Sequence, residues 1–107
     1  MNALPPIITE RLAEVRALCE KYRVQRLTLF GSAVNGTFDE ATSDVDFIVE
    51  FMPEEDPIRY GRAYLDLWRE LRRLFARKVD LVEITTMDNV YFTRAIHDTR
   101  VQIYDAA

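Results

Sequence analysis

A small α/β fold, with a mixed sheet of about four strands flanked by helices, is predicted from three features of the sequence. Apolar residues recur at helical spacing through 8–22 and again through 58–75. Short apolar runs, rich in β-branched residues and bounded by polar or glycine-containing segments, read as strands. The two kinds of segment are interleaved along the chain, so helices can pack onto a sheet.

The first helix is expected from Ile8 to Tyr22, with Ile8, Leu12, Val15, Leu18, Cys19 and Tyr22 on its apolar face. Thr9 is its candidate N-cap, and Pro5-Pro6 argues against an earlier start. Arg26 to Phe30 reads as a strand entering a Gly31-Ser32 turn, from which a short helical segment begins near Ser32 and stops around Gly36. Thr37 to Ser43 is loop. Val45 to Phe51 is a second strand, followed by a charged connection in which Asp56-Pro57 resembles an N-cap with proline at the first helical position. Ile58, Tyr64, Leu65, Trp68, Leu71 and Phe75 mark a long helix. A third strand runs through Lys78 to Ile84, a further helix through Met87 to His97, and Val101 to Tyr104 closes the sheet.

The chemistry concentrates between Leu29 and Phe51. In an extended strand Asp44 and Asp46 point one way, and Val45, Phe47, Val49 and Phe51 the other. Two carboxylates sharing a small space repel, and each raises the other's pKa unless a cation lies between them. Magnesium suits such a pair, since it takes hard oxygen ligands and is commonly held by one or two carboxylates plus substrate phosphates. Upstream, Gly31-Ser32 allows close backbone approach, and amide groups at the start of a helical turn favour phosphate. Asp80 is embedded in the apolar run of the third strand; if that strand lies beside Val45 to Phe51, Asp80 reaches the same place.

Phe30-Gly31-Ser32, Ser43-Asp44-Val45-Asp46 and Val79-Asp80-Leu81 together resemble the nucleotidyltransferase superfamily. More narrowly, the chain looks like the minimal nucleotidyltransferases (MNT) often paired with a HEPN toxin. The resemblance runs from the first helix to the last strand. It implies a nucleotidyltransferase fold, ATP as substrate, and two magnesium ions held by Asp44, Asp46 and Asp80 as metal-binding and catalytic residues, with Gly31 and Ser32 on the nucleotide phosphates. It also implies an antitoxin that adenylylates a tyrosine of a HEPN ribonuclease toxin. A non-catalytic antitoxin that acts by binding, and a transferase acting on a small molecule, are the alternative readings. Two departures stand out. The spacer from Ala33 to Ser43 is one residue longer than the usual length of about ten, which costs little closure entropy. The basic residue frequent soon after the serine is absent from Ala33-Val34-Asn35-Gly36, which removes a positive charge from the nucleotide's surroundings.

Composition narrows the remaining options. A chain of 107 residues, 49% hydrophobic and 30% charged, forms one domain over 1–107 with no room for a second catalytic one. A net charge of −4 argues against a general grip on long nucleic acid, while the HEPN-type protein partner and the nucleotide substrate that the resemblance implies need no such surface. The single cysteine, and the lack of a signal-peptide or membrane-length apolar run, fit a cytoplasmic setting. Cys19 reads as a small buried hydrophobe, Trp68 as core, His97 as a capping or surface residue, and Glu50 as a solvated strand end. Arg69, Arg72, Arg73, Arg77 and Lys78 read as a solvated face that complements the helix dipole, with a partner-binding patch as the alternative.

Overall fold

A computed structural model of the chain describes residues 4–83 and 100–106. In chain order its elements are α1 (Pro6–Thr9), α2 (Leu12–Lys21), β1 (Val24–Phe30), α3 (Ser32–Asn35), β2 (Val45–Phe51), α4 (Pro57–Phe75), β3 (Val79–Glu83) and β4 (Arg100–Asp105). The helix expected over Met87 to His97, with His97 itself, lies outside the described residues.

The first helical segment differs from expectation at its start. Helix begins at Pro6, because proline at the first helical position loses only an N–H that would have no partner in any case. The helix then breaks at Glu10-Arg11. Arg11 donates to the carbonyls of Ile7 (3.3 Å) and Leu74 (3.1 Å), and so satisfies chain ends that a continuous helix would not present. Thr9 is therefore the last residue of α1 rather than an N-cap, and its hydroxyl donates back to the Pro6 carbonyl.

α4 follows its sequence signals more closely. Asp56 accepts from the backbone N–H of Ile58 at 2.9 Å, Pro57 opens the helix, and Ala76 closes it in the left-handed conformation. Its buried residues are Leu67, Leu71 and Phe75. Ile58 and Leu65 are exposed, since Ile58 lies in the first turn and Leu65 is angularly offset from the Leu67-Leu71 line.

The sheet has the order β3-β2-β1-β4. β1 pairs antiparallel with both β2 and β4, and β2 pairs parallel with β3, so the sheet is mixed. The parallel pair is possible because α4 provides the crossover. Strand alternation puts Val45, Phe47, Val49 and Phe51 of β2, with Val79 and Leu81 of β3, into the core alongside Val15, Cys19 and the buried residues of α4. In β1 the alternation slips, and Val24 and Leu27 are both buried although three residues apart. A register shift between Val24 and Arg26 accounts for this by letting the strand change parity. Cys19 is fully buried, and desolvation, with a smaller push from Glu20, moves its thiol up to about 12. Its role is packing, as the sequence suggested. Among the described residues no helix is long and apolar enough to cross a membrane.

Among the described residues β3 is an edge strand, and α4 covers part of that edge. Trp68 Nε1 donates to the Val79 carbonyl at 2.9 Å, and the Tyr64 hydroxyl donates to the Leu81 carbonyl. Spacings of four on the helix and two on the strand match one another along this line. Trp68→Phe keeps the ring bulk and removes one donor, so it should lower unfolding stability by about 1 kcal/mol in chemical denaturation. No change in stability would mean that this bond contributes nothing.

Candidate active site

The register of the parallel pair places Asp46 of β2 beside Asp80 of β3. Both lie on the face opposite the core residues Val45, Phe47, Val49, Val79 and Leu81, which follows directly from strand alternation. Their carboxyl groups are near enough to influence one another. Burial raises the Asp46 pKa to about 6; the hydrogen bond and charge of Asp80, and then the charge of Asp44, act in the same direction, while Lys78 opposes them.

Asp44 sits just before β2 and is positioned from two sides. Asp39 shapes the preceding loop by accepting from the Ala41 N–H at 2.8 Å and donating from its own N–H to the Ser43 hydroxyl at 2.9 Å. Arg77 then ties the loop to the turn before β3: its guanidinium donates to the Ser43 carbonyl at 3.3 Å and lies over the Phe38 ring. The Val45 N–H donates to the Lys78 carbonyl at 3.2 Å. As a result the Lys78 ammonium is 3.9 Å from Asp44 Oδ2. The longer spacer is thus an anchored loop, and Arg77 and Lys78 are functional-site neighbours that sequence reasoning placed on a solvated helix end.

Gly31 leads out of β1 with φ 75° and ψ −147°, a backbone region open essentially to glycine alone. A Cβ here would collide with Asp46 Oδ2. Gly31 and the Asp46 carboxylate are therefore in direct apposition. α3 is a single turn that ends at Gly36 in the left-handed conformation.

An open groove of about 760 Å³ runs along this region, lined by Phe30, Asp46, Trp68, Lys78, Asp80 and Val82 among others. Glu50 lies away from it, in an ion pair with Arg26 at 3.1 Å across the β1–β2 ladder. The three aspartates do not close into a ready cage: among the described residues no group of three His, Cys, Asp or Glu side chains is drawn together enough to hold a metal ion. Asp44 faces Lys78, whereas Asp46 and Asp80 face each other. The donor chemistry still fits a hard divalent cation, because all the candidate ligands are carboxylate oxygens; a cation would offset both the burial that chiefly raises the Asp46 pKa and the smaller push from Asp80 and Asp44.

The raised pKa has a consequence for stability. Asp46 holds its proton more tightly folded than unfolded, so its contribution is fully present below the ordinary value of 3.8 and is lost as pH rises through about 6. Asp46→Asn cannot ionise. Without divalent cations it should therefore melt higher than the parent at pH 7, by about 1 kcal/mol or less because the site is partly solvated, with the gap closing near pH 4. Thermal melts of both proteins at the two pH values test this; a lower melting temperature for the variant at pH 7 would contradict it.

Comparison with known proteins agrees with this geometry. A family model described as a nucleotidyltransferase domain matches residues 15–103. A Methanocaldococcus jannaschii protein named "putative protein adenylyltransferase" is 32% identical over 88 residues, which are 82% of this chain and 85% of that protein. Among solved structures, a chain of a toxin–antitoxin complex with AMP-PNP aligns at a TM-score of 0.65 with 22% identity, covering 89% of this chain and 73% of the other. A chain from the tri-AMPylated Shewanella oneidensis HEPN toxin in complex with its MNT antitoxin aligns at 0.62 with 19% identity, covering 92% and 72%. These two likenesses are of fold. Together with the family match and the archaeal relative, each spanning most of the chain, they leave no ambiguity of class: the chain belongs to the nucleotidyltransferase domain family.

Proposed function

We propose that the chain acts, as a single minimal nucleotidyltransferase domain over 1–107, to transfer AMP from ATP to a tyrosine hydroxyl of a HEPN-type ribonuclease toxin and so neutralise it. The observation that carries this reading is the parallel register that sets Asp46 beside Asp80, against the Gly31-Ser32 turn. The archaeal relative's name supplies the protein acceptor, and the toxin–antitoxin complexes supply its class. The tri-AMPylated Shewanella toxin supports repeated transfer. A cytoplasmic setting fits a free, buried Cys19.

Asp44, Asp46 and Asp80 are the residues to hold two magnesium ions, which when bound would activate the attacking hydroxyl and neutralise triphosphate charge. Gly31 and Ser32 hold the terminal phosphates through backbone N–H and hydroxyl groups, aligning the α-phosphorus for in-line attack. Asp80, the most exposed of the three, faces the acceptor side and takes part in removing the hydroxyl proton. Lys78 supplies positive charge where the Ala33 to Gly36 segment has none.

A second reading, neutralisation by binding alone, draws on the open arrangement of the three aspartates. Cells expressing the toxin partner decide between the two. The Asp44→Asn, Asp46→Asn double variant should bind the partner and fail to protect growth; full protection by the double variant would establish neutralisation by binding.

A further inference from the structure

Beside the carboxylate groove lies a second depression, of about 520 Å³, lined by Arg69, Arg72, Arg73, Ala76, Arg77 and Lys78. Five of these six residues are cationic, in a chain whose net charge is −4. Complementing the dipole of α4 accounts for charge in the last turn, but not for a basin that continues past Ala76 to Arg77 and Lys78, just before β3. Among the described residues Arg69 pairs with Asp66 at 3.9 Å and Lys78 with Asp44 at 3.9 Å, while Arg72, Arg73 and Arg77 have no carboxylate within ion-pair distance. Arg72 and Lys78 line both depressions, so the basin adjoins the groove that Asp46 and Asp80 line. The Arg72 guanidinium is stacked on the Trp68 ring at 4.8 Å, which fixes its plane at the junction between the two.

The guanidinium groups of Arg69, Arg72 and Arg73 on a concave, solvent-open surface match phosphate, which each can bind bidentately, while Arg77, tied to the Phe75 and Ser43 carbonyls, adds positive charge. We propose that this basin holds the phosphodiester of an AMP unit already transferred, so that the ribose hydroxyl of that unit returns to the carboxylate groove as the next acceptor. This rests on the transfer reading above. In each further round the ribose oxygen forms a bond to the α-phosphorus of a new ATP. The bond from that phosphorus to the bridging oxygen breaks, pyrophosphate leaves with the electron pair, and the hydroxyl proton passes to base or solvent. The basin retains the product strand between rounds and sets how many units are added.

The test uses Arg69→Glu with Arg73→Glu, which leaves the two shared residues Arg72 and Lys78 in place, after a thermal melt confirms folding. The isolated chain is titrated with 5′-phosphorylated triadenylate at low and raised salt. The parent should bind in a salt-sensitive manner, and the variant about tenfold or more weaker. With partner and ATP, the intact mass of the partner should show a ladder of AMP additions for the parent and a single addition for the variant. Equal triadenylate binding by the two proteins would overturn the proposal. So would a variant whose first and later additions fall together, which would make the basin a docking surface for the acceptor protein. A parent that transfers no AMP overturns the transfer reading instead, and triadenylate binding decides the basin separately.

Discussion

Asp46→Asn is expected to slow AMP transfer by about 10³-fold, since on the proposed reading it removes a carboxylate that holds the metal, and with it several kcal/mol of transition-state stabilisation. The same substitution is expected to leave the fold intact, or slightly stabilised at pH 7. Asn has nearly the shape of Asp and can still hydrogen bond to Asp80, and it removes a charge that burial first, and then Asp80 and Asp44, disfavour. Activity and stability thus move in opposite directions, which is the mark of a residue kept for chemistry at some cost to folding. A core residue behaves otherwise: Phe47, fully buried against Phe75 at 5.9 Å, should lose stability and activity together when truncated. Initial rates of AMP incorporation, paired with melts on the same preparations, separate the two patterns. A loss of less than about tenfold for Asp46→Asn would remove this residue from the catalytic set.

Gly31→Ala is expected to have the second large effect, on both stability and rate. The backbone at φ 75° and ψ −147° costs a non-glycine residue about 1–3 kcal/mol. The new methyl also meets the Asp46 carboxylate, which must move away from the turn where the nucleotide phosphates are to sit. These two costs can be divided by a double-mutant cycle. With Asp46→Ala as background the steric part disappears and the backbone part remains, so Gly31→Ala should be less destabilising there by about 0.5 kcal/mol or more. Additivity of the two substitutions would mean that turn and carboxylate are not in contact.

The legible parts of the site are those set by local periodicity. A period of two along Val45 to Phe51 assigns Asp46 to the open face and Phe47, Val49 and Phe51 to the core, and the structure has them there. Asp56-Pro57 and Gly36 carry their capping chemistry in the residues themselves. Asp80 required one inference beyond periodicity, that β3 lies beside β2, and the parallel pairing meets it. What could not be read depends on contacts between distant segments. The break in the first helix depends on Arg11 reaching Leu74, the parity change in β1 on its pairing with β2, and the placement of Asp44 on Arg77 and Lys78. The one available signal for the last was the basic pair placed directly before an acid-bearing strand, next in space to two carboxylates that needed a counter-charge. Ile58 and Leu65 show the opposite error, because apolar identity alone admitted them to a stripe that the spacing of Leu67, Leu71 and Phe75 excludes.

The central claim is that Asp44, Asp46 and Asp80 transfer AMP to a protein hydroxyl. The most direct measurement is the intact mass of a co-purified HEPN-type partner after incubation with the chain, ATP and magnesium. The account predicts mass gained in AMP increments, dependent on the divalent cation and absent with Asp44→Asn or Asp46→Asn. A partner that keeps its mass within a stable, neutralised complex would contradict it.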